Sequence, residues 1–356
     1  MITTTTDLQS ALDQMTVPGS LYTIVDKDEK SLRCTACGHN CLIKNGRHGI
    51  CRVRFNQEGQ LRVPYGYVGA LQCDPVEKKP FFHIAPGTDA FSFGMLGCNL
   101  HCSYCQNWDI SQTLKDDDAG RDPLVITPEQ LVDLAQQYRA RSVTSTYNEP
   151  LITTEWAVDI FKLAKKAGFY TLYVSSGNAT QEVIDYLQPH LTGYKIDLKS
   201  MRDKPYRQLG AVLQHVLDTI KMVHEAGIWL EVLTLVVPGF NDSEAELRDA
   251  ANYIAGISPD IPWHVTAFHP DYKMMEPPPT TTAKLIRACE IGAEAGLRYV
   301  YAGNIPGRVG PWEDTRCPAC QTTLIRRIGY RIMENRLSAT DGKCPHCQSV
   351  IPGIWH

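Results

Sequence analysis

The stretch Gly97-Cys98-Asn99-Leu100-His101-Cys102-Ser103-Tyr104-Cys105-Gln106-Asn107 decides how this chain is read. Its cysteines are spaced C-x3-C-x2-C. They follow an apolar run, Ala90-Phe91-Ser92-Phe93-Gly94-Met95-Leu96, that reads as a short buried strand. Three thiolates can hold three irons of a [4Fe–4S] cluster, which ordinarily takes four cysteine ligands. The fourth iron is then open to a small molecule, and an open metal position separates a reactive site from a structural one. A structural zinc completed by His101 or Cys73 is the alternative for the same three residues.

Outward from this stretch, strand signals alternate with helix signals. Apolar or β-branched runs fall at 91–96, 142–147, 169–174, 193–198, 228–237, 263–268 and 298–302, with amphipathic segments at 129–139, 155–166, 212–225, 244–255 and 283–294 between them. Thr127-Pro128-Glu129-Gln130 offers an N-cap, a first-turn proline and a capping-box partner, and Ser243-x-x-Glu246 offers a second box. Lys166-Ala167-Gly168, Glu225-Ala226-Gly227 and Glu294-Ala295-Gly296 each place a glycine between a helix and the next strand, where the left-handed conformation ends a helix cheaply. The pattern predicts an α/β fold of stacked βα units, a partial or closed (β/α) barrel, with a doubly wound sheet as the alternative. In a barrel the chemistry sits on loops after the C-terminal strand ends, and the cysteine triplet follows the first predicted strand.

The flanks break this pattern. Residues 1–65 carry Cys34, Cys37, Cys41 and Cys51, and residues 306–356 carry Cys317, Cys320, Cys344 and Cys347. Segments this short rarely sustain a core unaided, so both read as metal-stapled modules flanking a barrel over 66–305. The C-terminal pairs, Cys317-Pro318-Ala319-Cys320 and Cys344-Pro345-His346-Cys347, suit tetrahedral zinc, with rubredoxin-like iron as the rival. The N-terminal spacing, C-x2-C-x3-C-x9-C, is not the bacterial ferredoxin run, and is read as structural zinc ahead of an auxiliary Fe–S cluster.

A net charge of -4 gives no general attraction to nucleic acid or anionic lipid. No apolar run approaches the roughly 18 residues of a membrane span, and the N-terminus lacks a signal peptide's basic start and apolar stretch. Thirteen cysteines, all but Cys73 and Cys289 grouped in three sets, without export, point to metal binding in a reducing cytoplasm. A zinc-ribbon protein that binds nucleic acid or acts as a scaffold is the reading from another class; Arg326, Arg327, Arg331 and Arg336 would supply its basic face.

Later strand ends offer partners for the triplet. Ser175-Ser176-Gly177-Asn178 combines hydroxyls, glycine and an amide suited to a ribose or carboxylate, or to any turn. In Gly193-Tyr194-Lys195-Ile196-Asp197-Leu198-Lys199, strand alternation puts Lys195, Asp197 and Lys199 on one face, which must be paired or ligand-bound if it faces inward. Glu231, His269, Tyr301, Asn304 and Arg308 are further pocket candidates.

The triplet, with Tyr104 before its third cysteine, resembles the signature of the radical S-adenosylmethionine (SAM) enzymes. That resemblance implies that Cys98, Cys102 and Cys105 hold the cluster. It also implies that SAM binds the open iron, and that a reduced flavodoxin or ferredoxin supplies the electron. It puts Glu149, in Thr146-Tyr147-Asn148-Glu149-Pro150, where the superfamily receives the SAM amino group, although Tyr147 and Asn148 replace the usual glycines. Asp197-Leu198-Lys199 resembles the run of glycyl-radical-enzyme activases that helps hold SAM. Tyr104, Asn148, Glu149, Ser175, Ser176, Asn178, Asp197, Lys199 and His269 are therefore the expected cofactor contacts.

Further runs, including Pro80-Phe81-Phe82-His83, Cys105-Gln106-Asn107-Trp108-Asp109 and Pro238-Gly239-Phe240-Asn241-Asp242, resemble the radical SAM member of the AmmeMemoRadiSam system, a relative of pyruvate formate-lyase activating enzyme. This implies Memo-like and AMMECR1-like partners and a metabolite or protein substrate, with a glycyl-radical activase as the alternative.

Overall fold

The computed structural model describes residues 5–356. Its centre is one eight-stranded sheet: β1 (Ala70–Pro75), β2 (Asp89–Gly94), β3 (Ser142–Ser145), β4 (Tyr170–Ser175), β5 (Gly193–Asp197), β6 (Trp229–Val236), β7 (Trp263–Ala267) and β8 (Val300–Gly303). The strands lie side by side in chain order, β2 to β8 all parallel. A doubly wound sheet reverses its strand order partway, so this topology is the βα series instead. β1 and β8 are the two ends of the sheet, making it a partial barrel. β1 was absent from the sequence reading: it pairs antiparallel to β2, from Ala70 opposite Gly94 to Pro75 opposite Asp89, and its half-exposed residues show no apolar alternation.

Local signals explain the helices outside the sheet. Thr127 and Gln130 complete their reciprocal capping box ahead of Pro128–Gln137. The second box is only half made. Ser243 accepts the Glu246 N–H, but the Glu246 carboxylate accepts from the Ser200 hydroxyl and the Met201 N–H instead, holding the loop after β5. Gly168, Gly227 and Gly296 all have positive φ with open space where a Cβ would stand, so backbone conformation, not crowding, selects glycine there.

Below the sheet's C-terminal ends the barrel interior is plugged by the Phe81–Ile84 segment. The Glu231 carboxylate, fully buried, accepts the N–H groups of Phe82 and His83 at 3.0 Å each, the Trp229 indole at 3.0 Å, and His264 Nε2 at 2.6 Å. This satisfied anion is a structural pin, and the expectation that Glu231 lines a substrate pocket is corrected. Tyr301 joins the same floor through His83 Nε2, at 2.6 Å.

Both cysteine-rich flanks pack directly on the barrel. Phe82, Tyr299 and Tyr301 share one apolar cluster with Cys317, Leu324, Ile325, Leu337, Cys344, Ile351 and Trp355. The Arg327 guanidinium lies 4.4 Å from the Phe82 ring and donates to the Phe82 carbonyl. At the other flank, Arg54 makes a two-pronged pair with Glu155 at 2.7 and 2.8 Å, both side chains buried. Among the described residues no helix is long and apolar enough to cross a membrane.

Candidate active site

The cysteine loop leaves the end of β2 through Gly94 and Gly97. A Cβ at Gly94 would stand 2.5 Å from the Thr146 carbonyl, so only glycine lets β2 and the β3 loop approach this closely. Gly97 has φ +90° and donates its N–H to the Ile110 carbonyl. Lys115 then crosses the loop, its ammonium donating to the carbonyls of Cys98 at 2.7 Å and Leu100 at 3.1 Å. Burial pushes the Cys98 thiol up to about 12 and the Cys102 thiol up to about 11. Such thiols keep their protons until a metal replaces them.

Cys98, Cys102 and Cys105 open into a cavity of about 380 Å³ at the C-terminal ends of the strands. Tyr104, Asn148, Glu149, Ser175, Ser176, Asp197 and Lys199 line the same cavity, so most of the expected contacts converge on it. Glu149 accepts the Ser175 hydroxyl at 2.6 Å, the Ser176 N–H at 2.7 Å and the Leu151 N–H at 3.1 Å. Burial raises its pKa against these hydrogen bonds. A carboxylate offers about four acceptor positions, so one more donor can be received. The Ser176 hydroxyl is buried beside the same carboxylate without completing a well-formed hydrogen bond.

Asn148 lines the wall, yet both ends of its amide are spoken for: Oδ1 accepts the Met95 N–H at 3.2 Å and Nδ2 donates to the Gly97 carbonyl at 2.9 Å. It braces the cysteine loop against the β3 loop. Tyr147, at φ +74°, lines the same cavity, its hydroxyl meeting Lys79 Nζ at 3.0 Å.

Lys195, Asp197 and Lys199 face inward together, as alternation requires. Asp197 is ion-paired to Lys195 and, at 3.3 Å, to Lys199. Burial works against all three charges, but the two ammonium groups hold the Asp197 carboxyl below its usual range. The trio carries one net positive charge beside the cysteines.

Two expected contacts lie elsewhere. Asn178 is held against the N-terminal module, its carbonyl accepting the Gly38 N–H at 2.8 Å and its Oδ1 within 3.2 Å of His215 Nδ1. His269 is exposed at the rim, bonded to Gln106 at 2.9 Å, and faces a neighbouring cavity of about 900 Å³. Asn304 lines both cavities; Arg308 lines neither. Lys115 was missed by sequence reasoning because a single lysine in the polar run Thr113–Asp118 carries no pattern.

At the C-terminal flank the sulfurs of Cys317, Cys320, Cys344 and Cys347 all lie within 4.8 Å of one another, with closest pairs at 3.5 and 3.6 Å. A tetrahedron with metal–sulfur bonds of about 2.3 Å has edges of about 3.8 Å, so the four are spaced for one ion. The two knuckles match: Gln321 and Gln348 both sit at φ +62°, and the Cys320 and Cys347 sulfurs lie beside the hydroxyls of Thr322 and Ser349. Those contacts lower the Cys320 and Cys347 thiols, while burial raises Cys317. Among the described residues, Cys34, Cys37, Cys41 and Cys51 form no set this tight.

The radical SAM superfamily profile matches residues 94–251, from the end of β2 into the helix after β6. An uncharacterized protein of Methanocaldococcus jannaschii is 36% identical over 91% of this chain and 96% of its own length. The chain belongs to the radical SAM superfamily. It is an enzyme of that group, whose members use SAM and a [4Fe–4S] cluster. The pyruvate formate-lyase-activating enzyme of Clostridium pasteurianum is 27% identical, over 45% of this chain and 67% of its own length. A radical SAM methyltransferase from Sphaerobacter thermophilus aligns with a TM-score of 0.49 at 14% identity, over 85% of this chain and 84% of its own.

Proposed function

We propose that this enzyme reductively cleaves SAM at a [4Fe–4S] cluster held by Cys98, Cys102 and Cys105, and directs the resulting radical at a metabolite or protein substrate. The observation that carries this reading is the convergence of the three thiols, Glu149, Ser176 and the Lys195–Asp197–Lys199 trio on one cavity. The donor set fits the cofactor pair: three sulfurs for three irons, one free acceptor position on Glu149 for an ammonium, the Ser176 hydroxyl beside it, and a cationic wall for a carboxylate. When bound, the cluster and SAM supply one electron and a 5′-deoxyadenosyl radical that abstracts hydrogen.

The chain's own residues position and shield. Lys115 and Asn148 hold the cysteine loop; Ser175 and the Ser176 N–H fix the Glu149 carboxylate; Tyr104, Leu233 and Leu235 give the cavity apolar wall that keeps water from a reactive intermediate. The residual positive charge of the trio favours an anionic ligand beside the cysteines. A zinc ion at the C-terminal four cysteines staples the floor. The electron comes from a reduced flavodoxin or ferredoxin in the cytoplasm. We place the enzyme in the AmmeMemoRadiSam system on the motif runs quoted above, with Memo-like and AMMECR1-like partners.

The second reading, a glycyl-radical-enzyme activase, is favoured by the relatives named as activating enzymes. Anaerobic reconstitution followed by dithionite and SAM tests the first step. Release of 5′-deoxyadenosine, lost with about four irons in Cys98→Ala, is expected; an intact cluster that leaves SAM uncleaved overturns the reading. A glycyl radical on a co-expressed partner would select the activase.

A further inference from the structure

The N-terminal cysteines sit directly behind the site loop. The would-be Cβ of Gly97 is 3.4 Å from the Cys51 carbonyl and 3.0 Å from Val53, so the two cysteine groups share a wall. Cys34, Cys37 and Cys51 are buried. The Cys34 N–H donates to the Cys41 carbonyl at 3.0 Å, and a Cβ at Gly49, in the turn that carries Cys51, would stand 3.6 Å from Cys41 Sγ, so neighbouring turns bring the four side by side.

Their spacing differs from that of the C-terminal set. A single tetrahedral ion draws its ligands into contact, as at Cys317, Cys320, Cys344 and Cys347. A cubane spreads its four cysteines over four separate irons, and so holds the sulfurs farther apart. Neither the N-terminal four nor the site triplet forms the tight set of a single ion, in contrast to the C-terminal knuckles.

A second observation points to an occupant. Asn99, fully buried, lies between the groups: Cys98 Sγ is 3.9 Å from its Oδ1, and its amide faces Cys37. Its Nδ2 is directed at the Cys37 sulfur without completing a well-formed hydrogen bond. A buried amide N–H left unbonded is costly, and a cluster sulfur would accept it, as protein donors do at Fe–S sites.

We propose that Cys34, Cys37, Cys41 and Cys51 bind a second iron–sulfur cluster, adjacent to the SAM site, and not zinc. The inference rests on the proposed cluster at the triplet only for the identity of its neighbour. The test is metal and sulfide analysis of the full chain after anaerobic reconstitution. About eight irons with matching sulfide are expected in the unaltered protein, and about four in C98A/C102A/C105A. In that triple variant a dithionite-reduced paramagnetic signal should persist, and further substitution of Cys37→Ala should abolish it. About four irons in the unaltered protein, with none in the triple variant and a second zinc in its place, would overturn the proposal. That result leaves SAM cleavage by the unaltered protein intact, whereas two clusters without 5′-deoxyadenosine release would sink the functional reading alone.

Discussion

The ammonium of Lys115 donates to the carbonyl of Cys98 at 2.7 Å, tying a residue of the polar loop to the first cysteine of the site. Burial lowers the Lys115 pKa, so the position uses a partly desolvated cation to hold main-chain oxygens. A hydrogen bond from a charged group is worth about 1.5–3 kcal/mol. Lys115→Met should therefore weaken loop order and slow 5′-deoxyadenosine release by about 10- to 100-fold, with reduced iron retention. Lys115→Arg should recover part of both, and iron assay beside single-turnover kinetics would check it.

The floor of the barrel predicts acid sensitivity. His83 is fully buried between the Pro352 carbonyl at 2.7 Å and the Tyr301 hydroxyl at 2.6 Å, and burial pushes its pKa down to about 4. An unfolded histidine titrates near 6.5, so between those values the unfolded chain takes a proton that the folded chain refuses. The stabilisation from neutral His83 is complete above about pH 6.5 and is lost as pH falls toward 4, by about 3 kcal/mol. Glu231, held down to about 2 chiefly by His264 against its burial, adds a loss that begins below about pH 4.5. Urea denaturation from pH 8 to 4 should show this decline, and His83→Gln, less stable at pH 8, should flatten it.

Arg54 and Glu155 predict strong coupling between the N-terminal module and the barrel. Glu155 also accepts the Ser20 N–H at 3.2 Å, so one carboxylate serves both segments. Glu155→Leu leaves a buried guanidinium unpaired and should cost about 3–5 kcal/mol. Arg54→Met together with Glu155→Leu should recover much of that loss. Equilibrium denaturation of the three variants measures the coupling; additive losses would contradict it.

Stripping metal from the C-terminal knuckles should disturb the barrel as well as the module. Cys317 and Cys344 share their apolar cluster with Phe82, Tyr299 and Tyr301. Cys344→Ser should therefore lose one metal ion, lower the Tm by several degrees and alter the fluorescence of buried Trp355. Iron at Cys98, Cys102 and Cys105 should remain. A variant that keeps its metal, or loses it without thermal effect, would contradict the packing argument.

Much of this was legible in sequence because the signals are local. The alternation of apolar runs with Gly168, Gly227 and Gly296 dictates parallel βα units, since backbone conformation at those glycines does not depend on distant neighbours. The triplet and the paired knuckles are likewise local, because metal geometry restricts ligand spacing along the chain. Inward charges at Lys195, Asp197 and Lys199 followed from the two-residue period of a strand.

Residues whose partners are remote in the chain were settled by packing. Glu231 and Glu149 are both carboxylates on or beside barrel strands, yet one is saturated by the Phe82–His83 backbone and the other keeps an acceptor position facing the cysteines. Asn178 was diverted to Gly38, and Glu246 to Ser200, by contacts far apart in the chain. A buried polar group takes whichever partners the packing brings to it. Local spacing and periodicity were enough to locate the metal chemistry and the parallel strands. Three-dimensional packing decided which polar side chains stay free to meet a ligand, because satisfying buried hydrogen bonds depends on neighbours in space.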